Sequence, residues 1–133
     1  MKKIAIFGSG SGSNAEKICS YFAASTNIKV ACIFTNKKSA FIAERAIRLN
    51  IPLVYTTKKE LELFKCLNKK LKKYDVDYIV LAGFLLKISC KMINAYSKKI
   101  INLHPSLLPK YGGKGMYGKN VHSAVLKNRE KES

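Results

Sequence analysis

Five short apolar-rich runs, at residues 4–7, 28–35, 53–55, 76–82 and 100–104, constrain this chain more than any other feature. The run Ile4-Ala5-Ile6-Phe7 is continuous rather than alternating, which suits a strand buried on both faces of a parallel sheet. Segments with helical spacing stand between the runs. A helix starts near Asn14, with Ala15, Ile18, Cys19 and Phe22 at i, i+3, i+4 and i+7. Residues 40–49, 61–73 and 89–96 read as further helices. Strand and helix alternate from residue 2 to residue 104. This predicts an α/β, Rossmann-like fold: a mostly parallel sheet, helices on both faces and right-handed crossovers. A length of 133 residues fits a single domain, residues 1–133.

Three polar or glycine-rich segments follow strands, so this topology sends all three to one edge of the sheet. The first is Gly8-Ser9-Gly10-Ser11-Gly12-Ser13-Asn14. A strand, a glycine loop and a helix N-terminus converge backbone N–H groups and a positive dipole end on one point, which makes an anion site. A tight turn using glycine only for backbone freedom is the plainer alternative. No G-K-[ST] is present, so the Walker pattern fails. The dinucleotide fingerprint fits poorly, because Ser13 takes its third glycine position and the second strand ends at Asn36 rather than at an acidic residue. A terminal phosphate on a small substrate fits better.

The second segment, Gly83-Phe84-Leu85-Leu86-Lys87-Ile88, lines a ligand pocket or fills the core beneath the next helix. On its residues alone, core filling is the simpler reading. The third is Asn102-Leu103-His104. Residues two apart on a strand share a face, roughly 6.6 Å apart, so Asn102 and His104 stand together while Ile101 and Leu103 face away. Pro105 and Pro109 hold the preceding residues extended. An amide donor beside an imidazole is a kit for acyl transfer, although such a pair at a strand end is more commonly a turn former. The shared edge raises the site reading for all three. Beyond Pro109, four glycines in residues 110–118 suggest a flap, and Val121, Ala124 and Val125 suggest a short helix. His122 reads as an ordinary surface or substrate-edge histidine.

Charge and cysteine usage narrow the function classes. The formal net charge is +17, but the lysines are scattered, and no alternation of aromatic and basic residues offers a base-stacking platform. An anionic small molecule drawn to a cleft is expected, and nucleic acid is not. The four cysteines form no C-x-x-C pair. They read as buried free thiols in a reducing compartment, with no metal site. The first residues mimic a signal peptide, yet the apolar run is too short. No stretch is long enough to span a membrane. The expectation is a cytoplasmic protein.

Residues 8–14, Ala82-Gly83-Phe84, and Asn102 through Tyr111 with their His-Pro-Ser-Leu-Leu-Pro stretch resemble the phosphoribosylglycinamide formyltransferase family, folate-dependent enzymes of purine synthesis. The resemblance runs over nearly the whole chain, in order. It implies transfer of a formyl group from 10-formyltetrahydrofolate, the co-substrate, to the amine of glycinamide ribonucleotide, without a metal. It further implies that Gly12, Ser13 and Asn14 hold the substrate phosphate. Leu85, Leu86, Lys87 and Ile88 match the folate segment, largely through backbone contacts. His104 becomes the general acid–base residue, and Asn102 stabilises the oxyanion while touching the folate. The family also pairs its histidine with an Asp, beyond the last residue here, and has further strands there; this sequence has no Asp after Asp77. The expectation is therefore a fragment, a truncated product or half of a split or oligomeric enzyme, with an unpaired sheet edge, marginal stability and poor activity. Two alternatives remain. One is another folate-dependent formyltransferase, such as the methionyl-tRNA enzyme. The other is an inactive truncated anion- or nucleotide-binding module.

Overall fold

A computed structural model describes residues 1–103, and residues 1–102 form one compact unit. The five apolar runs form the five strands of one sheet: β1 (Lys2–Phe7), β2 (Ile28–Thr35), β3 (Leu53–Tyr55), β4 (Tyr78–Ala82) and β5 (Ile100–Leu103). Their order is β3-β2-β1-β4-β5, and the β1/β2, β1/β4 and β2/β3 ladders are parallel. The Ile79 N–H donates to the Lys99 carbonyl at 2.9 Å, pairing the start of β4 with the start of β5, so these two also run alike. Successive strands move outward from β1 to β3, and the chain then returns to the other side of β1. The reversal lies between β1 and β4, where sheets of this kind bind ligands.

The helices α1 (Ser13–Phe22) and α2 (Phe41–Arg48) cover one face. They bury Ala15, Cys19, Ile42 and Ala46 against Ile4, Ile6, Ile33 and Val80. The helices α3 (Lys58–Leu63), α4 (Lys65–Lys73) and α5 (Cys90–Ala95) cover the other. There Leu61, Leu67, Leu71 and Met92 pack on Ala5, Phe7, Cys32, Phe34 and Ile79. Two-sided burial is why β1, β2 and β4 read as apolar runs.

Two local departures from the sequence reading have clear causes. The β1/β2 register slips between Ile4 and Ala5, whose partners are Val30 and Cys32. Ala31 is thus an extra residue, a β-bulge. Ala31 and Cys32 both meet the α4 side, and the alternation restarts with Ile33 on the α1 side. The single helix expected at 61–73 is two helices. A side-chain N-cap starts the first: the Glu60 N–H donates to Thr57 Oγ1 at 3.2 Å. Phe64 then takes φ +62°, breaks the helix, and stays buried in the core. Cysteine burial also needs correcting. Cys19 and Cys32 are buried, but Cys66 and Cys90 are exposed, because the buried stripe of α4 is Leu67 and Leu71 and that of α5 is Met92.

No helix among the described residues is long and apolar enough to cross a membrane. His104, the glycine-rich 112–118 stretch, His122 and the helix expected near residues 121–125 lie outside the described residues.

Candidate functional site

β1 ends at Phe7, and the loop from Gly8 to Gly12 leads into α1. The root of this loop is tightly held. The Gly8 N–H donates to the Phe34 carbonyl at 2.9 Å, and the Ile42 N–H donates to the Gly10 carbonyl at 3.1 Å. Arg45 Nε donates to the Ser11 carbonyl at 2.7 Å. The turn closes at Gly12, with φ +77°, where a Cβ would lie 2.8 Å from the Ile42 Cα. Only glycine fits such a position, on both conformation and space.

Gly12 is the N-cap of α1 and supplies no side-chain cap. The first N–H groups of a helix lack intrahelical partners. Here the Ser13 and Asn14 side chains are exposed, and the Ser13 N–H makes one long bond, 3.5 Å, to Ser11 Oγ; a helix start of this kind suits an anion. Glu16 in the first turn would oppose that anion, but both Arg45 and Arg48 pair with it. The three side chains together carry a net positive charge beside the loop. Residues 12–14 thus stand at the start of α1, the position the sequence reading gave them.

The segment after β4 meets this loop at its root. Ser9 is 3% exposed. Its N–H donates to the Gly83 carbonyl at 3.1 Å, and its Oγ accepts the Leu85 N–H at 2.9 Å. The same hydroxyl donates to Asn36 Oδ1 at 2.5 Å. Gly83 has φ +73°, with open space where a Cβ would point. From there the side chains alternate. Phe84, Leu86 and Ile88 pack toward the core, while Leu85 and Lys87 are exposed. The Phe84 ring stands edge-on to Phe7 at 5.3 Å, and Phe7 stacks on Phe34 at 4.5 Å. The floor under both segments is therefore aromatic and dry. Core filling thus holds for Phe84 and Ile88, and for Leu86 between them, whereas Leu85, expected to fill the core with them on that reading, is exposed.

β5 lies beside β4 and runs the same way, which brings Asn102 to the same end of the sheet as Gly83. Asn102 is exposed. Ile101, expected to face away from the site, is 53% exposed too, so this strand is covered on neither side at that point. Among the described residues no cluster of His, Cys, Asp and Glu has the makings of a metal site. Two clefts of about 390 and 380 Å³ lie at the opposite, N-terminal edge of the sheet, lined in part by Lys3, Lys29, Ile51 and the ends of α1, α2 and α4.

Residues 2–133 match the family described as formyl transferase. The chain belongs to the formyl transferase family. Among relatives, it is 43% identical over 135 residues to the chloroplastic phosphoribosylglycinamide formyltransferase of Arabidopsis thaliana, covering 96% of this chain and 46% of that one. It is 34% identical to the phosphoribosylglycinamide formyltransferase of Bacillus subtilis, over 94% of this chain and 67% of the relative. Solved structures agree. The phosphoribosylglycinamide formyltransferase of Anaplasma phagocytophilum superposes with a TM-score of 0.84 at 29% identity, over 98% of this chain and 60% of that one. The Bacillus halodurans enzyme gives 0.81 at 32% identity, over 98% and 67%. This formyl transferase chain spans less than half the length of the plant relatives it matches.

Sequence reasoning missed Ser9, Asn36 and Arg45, which hold the site's shape. Ser9 carried a faint signal: it directly follows the apolar strand and Gly8, where a buried hydroxyl needs a partner.

Proposed function

We propose that this chain binds glycinamide ribonucleotide and 10-formyltetrahydrofolate and supports formyl transfer between them. One observation carries the reading. The uncapped N-terminus of α1 and the 83–88 segment meet at the ends of adjacent strands, β1 and β4, at the point where the strand order reverses. A phosphate fits the first, where N–H groups, Arg45 and Arg48 gather. A flat apolar ring system fits the second, where Leu85 is exposed above an aromatic floor.

The roles follow from the chemistry. Gly12, Ser13 and Asn14 anchor the phosphate and so position the attacking amine. Leu85, Leu86, Lys87 and Ile88 border the folate ring, mainly through backbone groups. As the amine bonds to the formyl carbon, negative charge builds on the formyl oxygen. Asn102 donates a hydrogen bond to that oxygen, and His104, protonated, stabilises it. His104 then gives its proton to the departing folate nitrogen and, now neutral, takes the proton the attacking amine loses, which restores its charged form. No metal takes part. The domain assignment, residues 1–133 as one formyltransferase domain, belongs to the same proposal, as does a cytoplasmic or equivalent reducing location, consistent with four free thiols. The partners are two small molecules; neither nucleic acid nor a membrane is required.

The test measures binding of each small molecule to the full chain, then formyl transfer with methionyl-tRNA as control acceptor. Saturable binding of both and slow transfer to glycinamide ribonucleotide are expected, with transfer lost in His104→Ala. Absence of binding to both, or preference for the tRNA, would refute the reading.

A further inference from the structure

The geometry points to Ser9 as a positioning residue that fixes the spacing between the anion cradle and the 83–88 segment, so that both ligands depend on one hydroxyl. The inference rests on the proposed function, because that reading places a ligand at each segment.

Ser9 stands where the ends of β1, β2 and β4 come together. Its main chain and side chain make separate links to the same turn. The backbone N–H reaches Gly83, and the hydroxyl oxygen accepts from Leu85. These two bonds bracket Phe84 and orient its ring onto Phe7. The hydroxyl proton is committed to Asn36 Oδ1, which leaves the oxygen free to accept. At 3% exposure, water cannot easily replace these bonds. Three residues downstream, the chain turns through Gly12 into the cradle. Without the hydroxyl, the loop root and the Leu85 turn would each lose a fixed partner, so each ligand's own seat would loosen while the distance between the two drifted. The ends of two bound substrates that must react within about 3–3.5 Å would then lose register.

Ser9→Ala isolates the hydroxyl. The backbone bond to Gly83 and the Gly8 and Ile42 bonds to the loop remain, so the fold is expected to persist. Ser9→Thr keeps the hydroxyl. The experiment titrates wild type and both variants with glycinamide ribonucleotide and, separately, with tetrahydrofolate, well below the melting temperature. Exchange of the Leu85 amide is followed in parallel. Ser9→Ala is expected to weaken both ligands by about tenfold and to speed Leu85 exchange selectively, with Ser9→Thr restoring most of the loss. Wild-type binding of both ligands with Ser9→Ala within about twofold for either one overturns the positioning role and leaves the functional reading standing. Failure of the wild type to bind either ligand overturns both. If Ser9→Ala does not fold, Asn36→Ala provides the same comparison from the other side of the bond: joint weakening supports the role, and unchanged binding overturns it.

Discussion

Substituting alanine for each glycine at the edge of the candidate site separates two penalties. Gly12 carries both. Its φ of +77° costs a side-chain-bearing residue ~1–2 kcal/mol. Its Cβ would also press on the Ile42 Cα at 2.8 Å, a backbone atom that cannot swing aside, which adds ~1–3 kcal/mol. Gly83 carries the first penalty alone, with φ +73° and nothing within 4 Å. Gly10 carries neither, again with nothing within 4 Å. The expected destabilisation is therefore about 3 kcal/mol for Gly12→Ala, about 1–2 for Gly83→Ala, and about zero or slightly negative for Gly10→Ala. In a chain of this size these are shifts of roughly 10 °C, roughly 5 °C and roughly none. Thermal unfolding followed by far-UV circular dichroism ranks them, and a titration with inorganic phosphate reads the cradle. Gly12→Ala should lose phosphate binding, and Gly10→Ala should keep it. A Gly12→Ala protein that melts with Gly10→Ala would show that neither the left-handed turn nor the close approach of α2 is real.

Asn102→Ala should lower formyl transfer by about 100-fold or more without moving the melting temperature, since its side chain is exposed; equal turnover in steady-state assays would remove it from the proposed chemistry. A thiol reagent should label Cys66 and Cys90 in the native chain and reach Cys19 and Cys32 only on unfolding, as read by mass spectrometry. Burial pushes the Cys32 thiol up to about 12 and the Cys19 thiol up to about 11, and it raises Tyr96, with Asp77 and Cys32 adding to the effect. The folded state holds these protons more tightly than the unfolded state. Their stabilisation is complete below about pH 9 and drains away as pH climbs from there. Melting scans from about pH 8 to about pH 10.5 should show a loss of ~2 kcal/mol from Cys32 alone, and Cys32→Ala should flatten that fall.

The layered architecture was readable because continuous apolar runs separated by helical spacing leave few alternatives. The runs at 28–35 and 53–55 became β2 and β3 with the expected bounds. The break at Phe64 was not readable. Leu61, Phe64, Leu67 and Leu71 keep a helical rhythm through it, and rhythm reports faces, not the sign of φ. The start was placed too late as well: α3 begins at Lys58, where Thr57 caps it, three residues before the expected 61. The tight glycine turn into α1 at Gly12 was legible because a glycine loop between an apolar strand and a helix start marks that junction. Its support was not. Asn36 drew notice only as an unsuitable ribose partner, and its role as acceptor for Ser9 depends on contacts 27 residues apart in sequence. Asn102 reaches the expected end of the sheet, whereas His104 lies outside the described residues.

The bulge at Ala31 makes β2 a strand in two phases. Below it, the side chains keep the parity set by Ile28; above it, Ile33 and Phe34 follow a second parity. Deleting Ala31 would leave every occupant in its layer, because Val30 and Cys32 already face opposite sides and would then follow one another in plain alternation. Ironing the bulge out with Ala31 kept is the damaging change: one parity would run through the whole strand, sending a phenyl ring toward α1 and a branched aliphatic toward Phe7. The slip thus holds Ile33 and Phe34 in their layers at the end of β2 that leads to Asn36.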